Sequence, residues 1–433
     1  MPAPRPPLVE VSDGAERIRV DPQAFLGECN DRYGPVFTVE VDGGKRITYV
    51  LDPHVFQPLL TAKQVDFSPV SRQSKKRFGL GRVVETDDHV KRLSASFIKS
   101  LRGKSLRASL VRFEEALAPA VEALALSLDA PQVLSLQDVV QRTLMPATVF
   151  GLFGDGIYDR DFVADFMAFS TSIATRFAGS NPELAERGIE AEVALMERLQ
   201  VALEPPMTSV VEHLHSGVLE TPDLTPDERH RTLLMLMWGS MVNLLPTSAW
   251  MLGTVFREPS LVAAVREEAA AGGSDLALSI ATETLRLFSR PNMYRQVVED
   301  FELPLSNGDA VTFTSGDWLA LFPRFLHHDP SVFHRVMDFD ARRFYPVQGK
   351  KPTFIKDGKP LRHATVVFGL GRGRCPGDSY ALSVLTLSLR VWLDAFDGTL
   401  TDAPFPVAVT QTVSSTPEPS ADIEVLLSRR LER

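Results

Sequence analysis

The stretch Phe368-Gly369-Leu370-Gly371-Arg372-Gly373-Arg374-Cys375-Pro376-Gly377 decides how this chain is read. It places a single cysteine among glycines, directly ahead of an apolar run at helical spacing through Tyr380, Leu382, Leu385, Leu389 and Trp392. Glycine lets a backbone turn tightly and approach a flat partner closely. Pro376 suits the start of a helix. A helix N-terminus aimed at a thiol lowers its pKa and favours the thiolate, the form that binds metal. The competing reading is an ordinary buried thiol beside a glycine-rich turn.

Composition narrows the classes. The chain has 433 residues, of which 44% are hydrophobic, with a net charge of −9 and two cysteines. That supports a large core, and the acidic balance argues against nucleic acid as the main partner. No apolar run is long enough to span a bilayer. Residues 1–20, beginning with the proline-rich Met1–Pro7, read as a loose tail without a signal peptide's apolar stretch. The expectation is one catalytic domain over residues 1–433, without a membrane anchor, in the cytoplasm. With only Cys29 and Cys375 present, a reducing compartment fits. Cys29 reads as structural. So do His327-His328-Asp329, because adjacent histidines face opposite ways and rarely share an ion.

Along the chain, Val36 to Val41 alternates, Asp42-Gly43-Gly44 turns, and Ile47 to Leu51 follows as a hairpin partner. Helical spacing then governs Ser105 to Leu128, Ser135 to Phe150, Asp159 to Phe177 and Pro182 to Ser216. Pro205-Pro206 interrupts the last of these. Thr225-Pro226-Asp227-Glu228 starts a long helix predicted to reach Arg257, apolar on nearly all sides and hence buried. Shorter helices are expected over Leu261 to Ala271 and Asp275 to Phe288. Strands follow at Gln296 to Leu303 and Ala310 to Phe313, and weaker ones at Val407 to Thr410 and Ile423 to Leu427.

The cysteine run resembles the haem-ligand loop of the cytochrome P450 family, with Phe368, the glycines and Cys375 at the family's spacing. The resemblance covers nearly the whole chain. It implies a mainly α fold with a small β region, haem b as cofactor and Cys375 as its iron ligand. It also implies that Phe368, Gly369, Arg374 and Gly377 lie around the haem. Glu283 and Arg286, in Glu-x-x-Arg spacing, together with Arg343 before Phe344, correspond to the family's lock behind the haem. Arg295 corresponds to a propionate-binding arginine. For the second propionate, His89, Lys91 and Arg92 are the candidates. The family's usual arginine or histidine two residues before the cysteine is replaced by Gly373, so one contact is missing or displaced.

The long helix carries Trp238, Val242, Asn243, Pro246 and Trp250. Most monooxygenases of the family place an acid and a threonine at Val242 and Asn243, to deliver the protons that O–O cleavage needs. The Trp/Asn/Pro/Trp pattern resembles the branch that includes sterol 7α- and 12α-hydroxylases and prostacyclin synthase, in a soluble bacterial-type form. That branch implies Asn243 as the catalytic residue, orienting an oxygen ligand or polarising the substrate. The other reading makes it a buried amide bonded to a neighbouring carbonyl. Met241, Leu244, Leu245 and Pro291 are the expected apolar wall.

The function implied is a monooxygenase acting on a bulky apolar substrate (a sterol, terpenoid or lipid). Electrons would come from a ferredoxin and its reductase, or a similar donor. A basic face at Lys75-Lys76-Arg77, or at Lys99, Arg102, Lys104 and Arg107, would receive that donor. The alternatives are an isomerase or lyase, or a peroxide-using enzyme, needing no external electrons, and a haem sensor or carrier without turnover.

Overall fold

The structure, a computed structural model, describes residues 3–11, 13–41, 44–76, 78–178, 182–409 and 415–431. Asp42, Gly43, Arg77 and Thr410, which belong to expected turns, faces and strands, lie outside the described residues. The chain divides into two compact units. One comprises Met1–Gln73, Leu285–Phe339 and Lys351–Cys375; the other comprises Ser74–Thr284, Asp340–Lys350 and Pro376–Arg433. Architecture is mainly helical with small sheets, as the resemblance implied.

The first unit is built on a five-stranded sheet in the order Val36–Val41, Lys45–Val50, Trp318–Leu321, Met293–Val297, Val65–Asp66. Only the Lys45–Val50 and Trp318–Leu321 pair runs parallel. Met293, Arg295 and Val297 point to the buried side while Tyr294 and Gln296 alternate with them, as a strand's period of two requires. Val50, Leu59, Phe313, Leu319 and Leu321 fill one core cluster; Phe25, Leu26 and Phe37 with Cys29 fill another.

Two expectations need correction here. Of the segment 1–20 expected as a loose tail, the described residues 3–11 and 13–20 are tied to the fold. Val9 N–H donates to Thr38 O and Thr38 N–H to Pro7 O, both at 2.8 Å, so this segment covers the open edge of Val36–Val41. Arg5 pairs with Asp317 at 3.0 Å, and Gly14–Val20 is helical. Helix Pro22–Tyr33 follows, capped by Asp21, whose carboxylate accepts from Ala24 N–H. The strand expected at Gln296 to Leu303 is two strands, Met293–Val297 and Phe301–Pro304. Phe301–Pro304 leaves the main sheet and pairs with Ala310–Phe313.

The second unit carries most of the helices, including Asp87–Ser100, Gly103–Leu126, Leu136–Phe153, Phe162–Ala178 and Asp378–Ala395. Its sheet is Phe396–Leu400, Glu424–Arg429, Gln132–Ser135. The periodic run from Pro182 to Ser216 splits into Pro182–Leu199, a short turn at Val201–Leu203 and Ser209–Leu214, with the two prolines in the gap. Trp250 and Trp392 are fully buried, and Trp392 Nε1 donates to Thr143 Oγ1 at 3.0 Å.

The long helix starts as predicted. Thr225 and Glu228 form a reciprocal capping box with Pro226 at the first position. It does not run unbroken to Arg257. It consists of Pro226–Met241 and Leu244–Phe256, with the break at Val242 and Asn243. Pro246 has no N–H to offer the carbonyl one turn back, at Val242, so the break falls one turn before the proline.

Candidate functional site

Within the first unit the cysteine loop is shaped by its own backbone. Cys375 N–H donates to Phe368 O at 2.8 Å and Arg374 N–H to Gly371 O at 3.3 Å. Gly371 sits at φ +60° and Gly373 at φ +82°. A Cβ on Gly371 would stand 2.5 Å from the carbonyl oxygen of Leu60, and one on Gly373 would stand 2.9 Å from the ring of Phe67. Both glycines are therefore demanded twice, by conformation and by space. The loop presents Cys375 exposed, whereas Cys29 is buried in the core. Phe368 and Gly369 are half-buried, Gly377 caps helix Asp378–Ala395, and Arg374 is exposed.

Arg295 braces this loop. It is buried, with Nη2 donating to Arg372 O and Nη1 to Tyr294 O, each at 2.8 Å. Its Nε is buried and has no hydrogen-bond partner among the described residues. Burial, only partly offset by Asp66, pushes its pKa down to about 10. Nε is the guanidinium donor left for an acidic group.

The lock residues are placed as follows. Arg343 Nε meets Glu283 Oε1 at 2.8 Å, with both side chains almost closed to solvent. The same carboxylate oxygen accepts from Asp340 N–H at 3.2 Å, and Phe344 N–H donates to Ser279 Oγ at 3.1 Å. Arg286, fully buried, donates from Nη1 to His327 O at 2.6 Å and stacks over Phe333 at 4.9 Å. The adjacent histidines serve separate bonds. His327 Nε2 accepts from Val366 N–H at 2.9 Å, while His328 Nε2 faces Leu287 O at 3.2 Å. No group of residues suited to a metal ion occurs among the described residues.

The second-propionate candidates are less defined. His89 is half-buried on helix Asp87–Ser100, with Nδ1 buried and lacking a hydrogen-bond partner among the described residues. Lys91 and Arg92 on the same helix are exposed.

Around the helix break, Met241 and Leu244 are buried. Leu245 lines a cavity of about 270 Å³ with Val242, Pro246, Val140, Phe166 and Met167, and with Glu418 and Asp422 at its polar side. Asn243 does not line it. Asn243 Oδ1 accepts from Thr416 N–H at 2.9 Å and from Ser415 Oγ at 3.2 Å. The amide is therefore tied to backbone N–H and hydroxyl donors, not to a neighbouring carbonyl. Pro291 is buried in the first unit.

Sequence reading missed one residue that orients the helix after the cysteine. Asp378, buried in the first turn of Asp378–Ala395, pairs with Arg102. An acid in a first helical turn was the available signal. Arg102 is thus committed to that pair rather than to an open basic face, whereas Lys99, Lys104 and Arg107 are exposed.

These residues fit a haem. The thiol is exposed on a glycine-lined turn that no bulkier backbone would allow, and Arg295 keeps an unused, buried donor for an acidic group. The family model for Cytochrome P450 matches residues 207–425. The human 7-alpha-hydroxycholest-4-en-3-one 12-alpha-hydroxylase is 30% identical over 88% of this chain and 83% of its own length. Mouse Cytochrome P450 7B1 is 25% identical over 87% of the chain and 80% of its own length. Human prostacyclin synthase is 25% identical over 84% of the chain and 80% of its own length. The chain belongs to the cytochrome P450 family.

Proposed function

We propose that this protein is a monooxygenase that inserts one oxygen atom of O₂ into a C–H bond of a sterol or a similar bulky apolar lipid. The second oxygen atom leaves as water, and a separate donor such as a ferredoxin with its reductase supplies the electrons. The observation that carries the reading is the exposed Cys375 on its glycine-built turn. The bound haem supplies one-electron and O₂ chemistry, tuned by its thiolate ligand.

The remaining work falls to this chain's own residues. Cys375 would ligate the iron, with Phe368, Gly369, Arg374 and Gly377 shaping the loop about it. Arg295 would hold one propionate through Nε, and His89 or Arg92 the other. Glu283, Arg343 and Arg286 keep the surrounding chain rigid; a buried ion pair of this kind is costly to break. Met241, Leu244, Leu245 and Pro291 would wall the substrate pocket, excluding water.

The relatives' names, which cite oxygenated cholestane sterols, support this substrate class. A cytoplasmic, bacterial setting stays part of the proposal. The relatives named above are mammalian, and no helix among the described residues is long and apolar enough to cross a membrane. The electron donor would meet Lys99, Lys104 and Arg107. Charge reversal at Lys99 and Lys104 should weaken ferredoxin binding, and unchanged affinity would move the docking face elsewhere.

One observation favours a second reading. No side chain at the helix break titrates: Val242 is apolar, and Asn243 gives its oxygen to Thr416. An isomerase that rearranges a peroxide already in its substrate needs no such proton donor, and prostacyclin synthase is among the relatives.

Incubation under ¹⁸O₂ with ferredoxin, its reductase and NADPH separates the two. The substrates are 7α-hydroxycholest-4-en-3-one, 25-hydroxycholesterol and 5β-cholestane-3α,7α-diol. Incorporation of label into a hydroxylated product is the expected result. Rearrangement of an endoperoxide without any reductant, and no labelled product, would replace the monooxygenase with the isomerase.

A further inference from the structure

The cavity of about 270 Å³ beside the helix break is complete within the second unit. Its lining comes from helices Leu136–Phe153, Phe162–Ala178 and Leu244–Phe256, from Val242 in the break, and from the segment 418–422. Neither Cys375 nor Arg295 takes part, and of the residues expected to wall the substrate only Leu245 borders it. The wall at 418–422 is fastened on both sides. Trp250 Nε1 donates to Pro417 O at 2.9 Å. Gln137 Nε2 donates to Ala421 O at 3.1 Å, while its Oε1 accepts from Ile423 N–H at 3.0 Å. These bonds hold the wall off the helix, so the space between them stays open.

The two ends of the cavity differ in chemistry. Val140, Phe166, Met167 and Pro246 make an apolar floor. The mouth offers acceptors and few donors. Glu418 and Asp422 are exposed, and neither carboxylate has an ion pair or side-chain hydrogen bond among the described residues. No lysine, arginine or histidine is among the described residues that line the cavity. Gln137 has already committed both ends of its amide, and Ser170 Oγ accepts from Trp238 Nε1 at 3.2 Å. Like charges gathered at a cleft with low-dielectric walls focus their field into it. That field repels anions and draws a cation.

Size limits the body of such a ligand. Drug-sized ligands occupy sites of roughly 300–1,000 Å³, and an apolar cavity of about 150 Å³ takes benzene. The space here falls between them and suits one ring with a short branched arm.

We propose that this cavity is a second ligand site, for a small organic cation with a single aryl ring or branched alkyl body. The body fills the floor against Phe166 and Met167, and the charged head lies at Glu418 and Asp422. An aromatic face and a polarizable sulfur both favour a cationic neighbour. Because Val242 and Leu245 form one wall, an occupant also props the helix break. The site goes beyond the oxygenase reading and does not depend on it.

The test titrates the holoenzyme with benzyltrimethylammonium, followed by calorimetry at low salt. A quaternary nitrogen has no lone pair for iron, so the heat does not report haem ligation. Two variants accompany the wild type. Glu418→Gln with Asp422→Asn removes the charge at two exposed positions, and Met167→Trp fills the floor. Saturable binding by the wild type is expected, with a dissociation constant that rises about tenfold in the double variant and with added salt. Binding should be lost in Met167→Trp. Hydrogen exchange should slow on binding at residues 166–170 and 242–246. Adding 7α-hydroxycholest-4-en-3-one should leave the cation bound.

A wild-type protein that shows no saturable binding overturns the site. Wild-type affinity in the double variant overturns the cation class, and does so even where Met167→Trp fails to fold. Wild-type affinity in Met167→Trp, or protection confined to other segments, overturns the location. Displacement of the cation by the sterol would make the cavity part of the substrate pocket and overturn the second site. Failure of the haem-thiolate reading would show apart from all of these, as a wild-type reduced carbon monoxide spectrum without the thiolate-type band.

Discussion

The cysteine loop closes on itself. Cys375 bonds back to Phe368, Arg374 bonds back to Gly371, and three positive-φ glycines turn the chain within the same stretch. The break in the long helix is held quite differently. Pro246 opens it locally, but Asn243 is fastened to Thr416, 173 positions away. A loop built from adjacent residues is carried by a short motif and can be recognised as one. A break tethered across most of a domain has a local cause, and its polarity comes from a segment with no motif of its own. The Glu283–Arg343 pair stands between these extremes at 60 positions apart.

Substitutions can break that contrast. Cys375→Ala should abolish turnover and remove the thiolate-type Soret band; a retained band would move the ligand to another side chain. Glu283→Ala removes the carboxylate that faces the buried Arg343 guanidinium and should cost about 3–5 kcal/mol, read by chemical unfolding. Loss of stability below about 1 kcal/mol would mean that the pair is solvated.

Gly371→Ala tests whether the loop is as local as it looks. It imposes a left-handed conformation on alanine and drives Cβ against Leu60 O, so a loss of roughly 2–3 kcal/mol and weakened haem retention are expected. Unchanged stability would show that the loop relaxes freely.

His327 gives a smaller, pH-dependent signal from a tether of intermediate reach. Burial, reinforced by His328 and the Arg286 and Arg324 cations, pushes its pKa down from the ordinary 6.5 to about 3. The folded state therefore binds fewer protons than the unfolded chain between those values. Its contribution is intact above 6.5 and is lost as pH falls toward 3, at up to about 1.4 kcal/mol per pH unit. Thermal unfolding between neutral pH and mild acid should show that slope, and His327→Gln should flatten it.

Pro246→Ala tests the helix break most gently. It restores an N–H to the helix and should raise stability by about 1 kcal/mol, less than the full proline penalty, because Asn243 stays tied to Thr416. Amide exchange would find the break still open at Val242 and Asn243. A helix that heals completely would show that proline alone holds it.

Much of the fold was readable because hydrophobic period and end signals are local. The capping box at Thr225, the helix Asp275–Phe288 and the hairpin strand Val36–Val41 follow from neighbouring residues. The misread pieces depend on distant partners. Residues 3–9 look like a tail until Thr38, Thr312 and Asp317 bind them. Arg102 looks like a surface cation until Asp378 takes it.

What the sequence by itself determined is the chemistry available: one cysteine on a turn only glycines can make, a Glu-x-x-Arg spacing, and an asparagine and proline where a long helix would otherwise run on. Those depend on residue type and short spacing, which any extended chain already contains. Only the tertiary structure decided that Arg343 reaches Glu283, that Arg295 spends both terminal nitrogens on carbonyls, and that the Asn243 oxygen faces Thr416. Hydrogen bonds and ion pairs have angstrom-scale reach, and residues tens to hundreds of positions apart come within it only once the chain has folded.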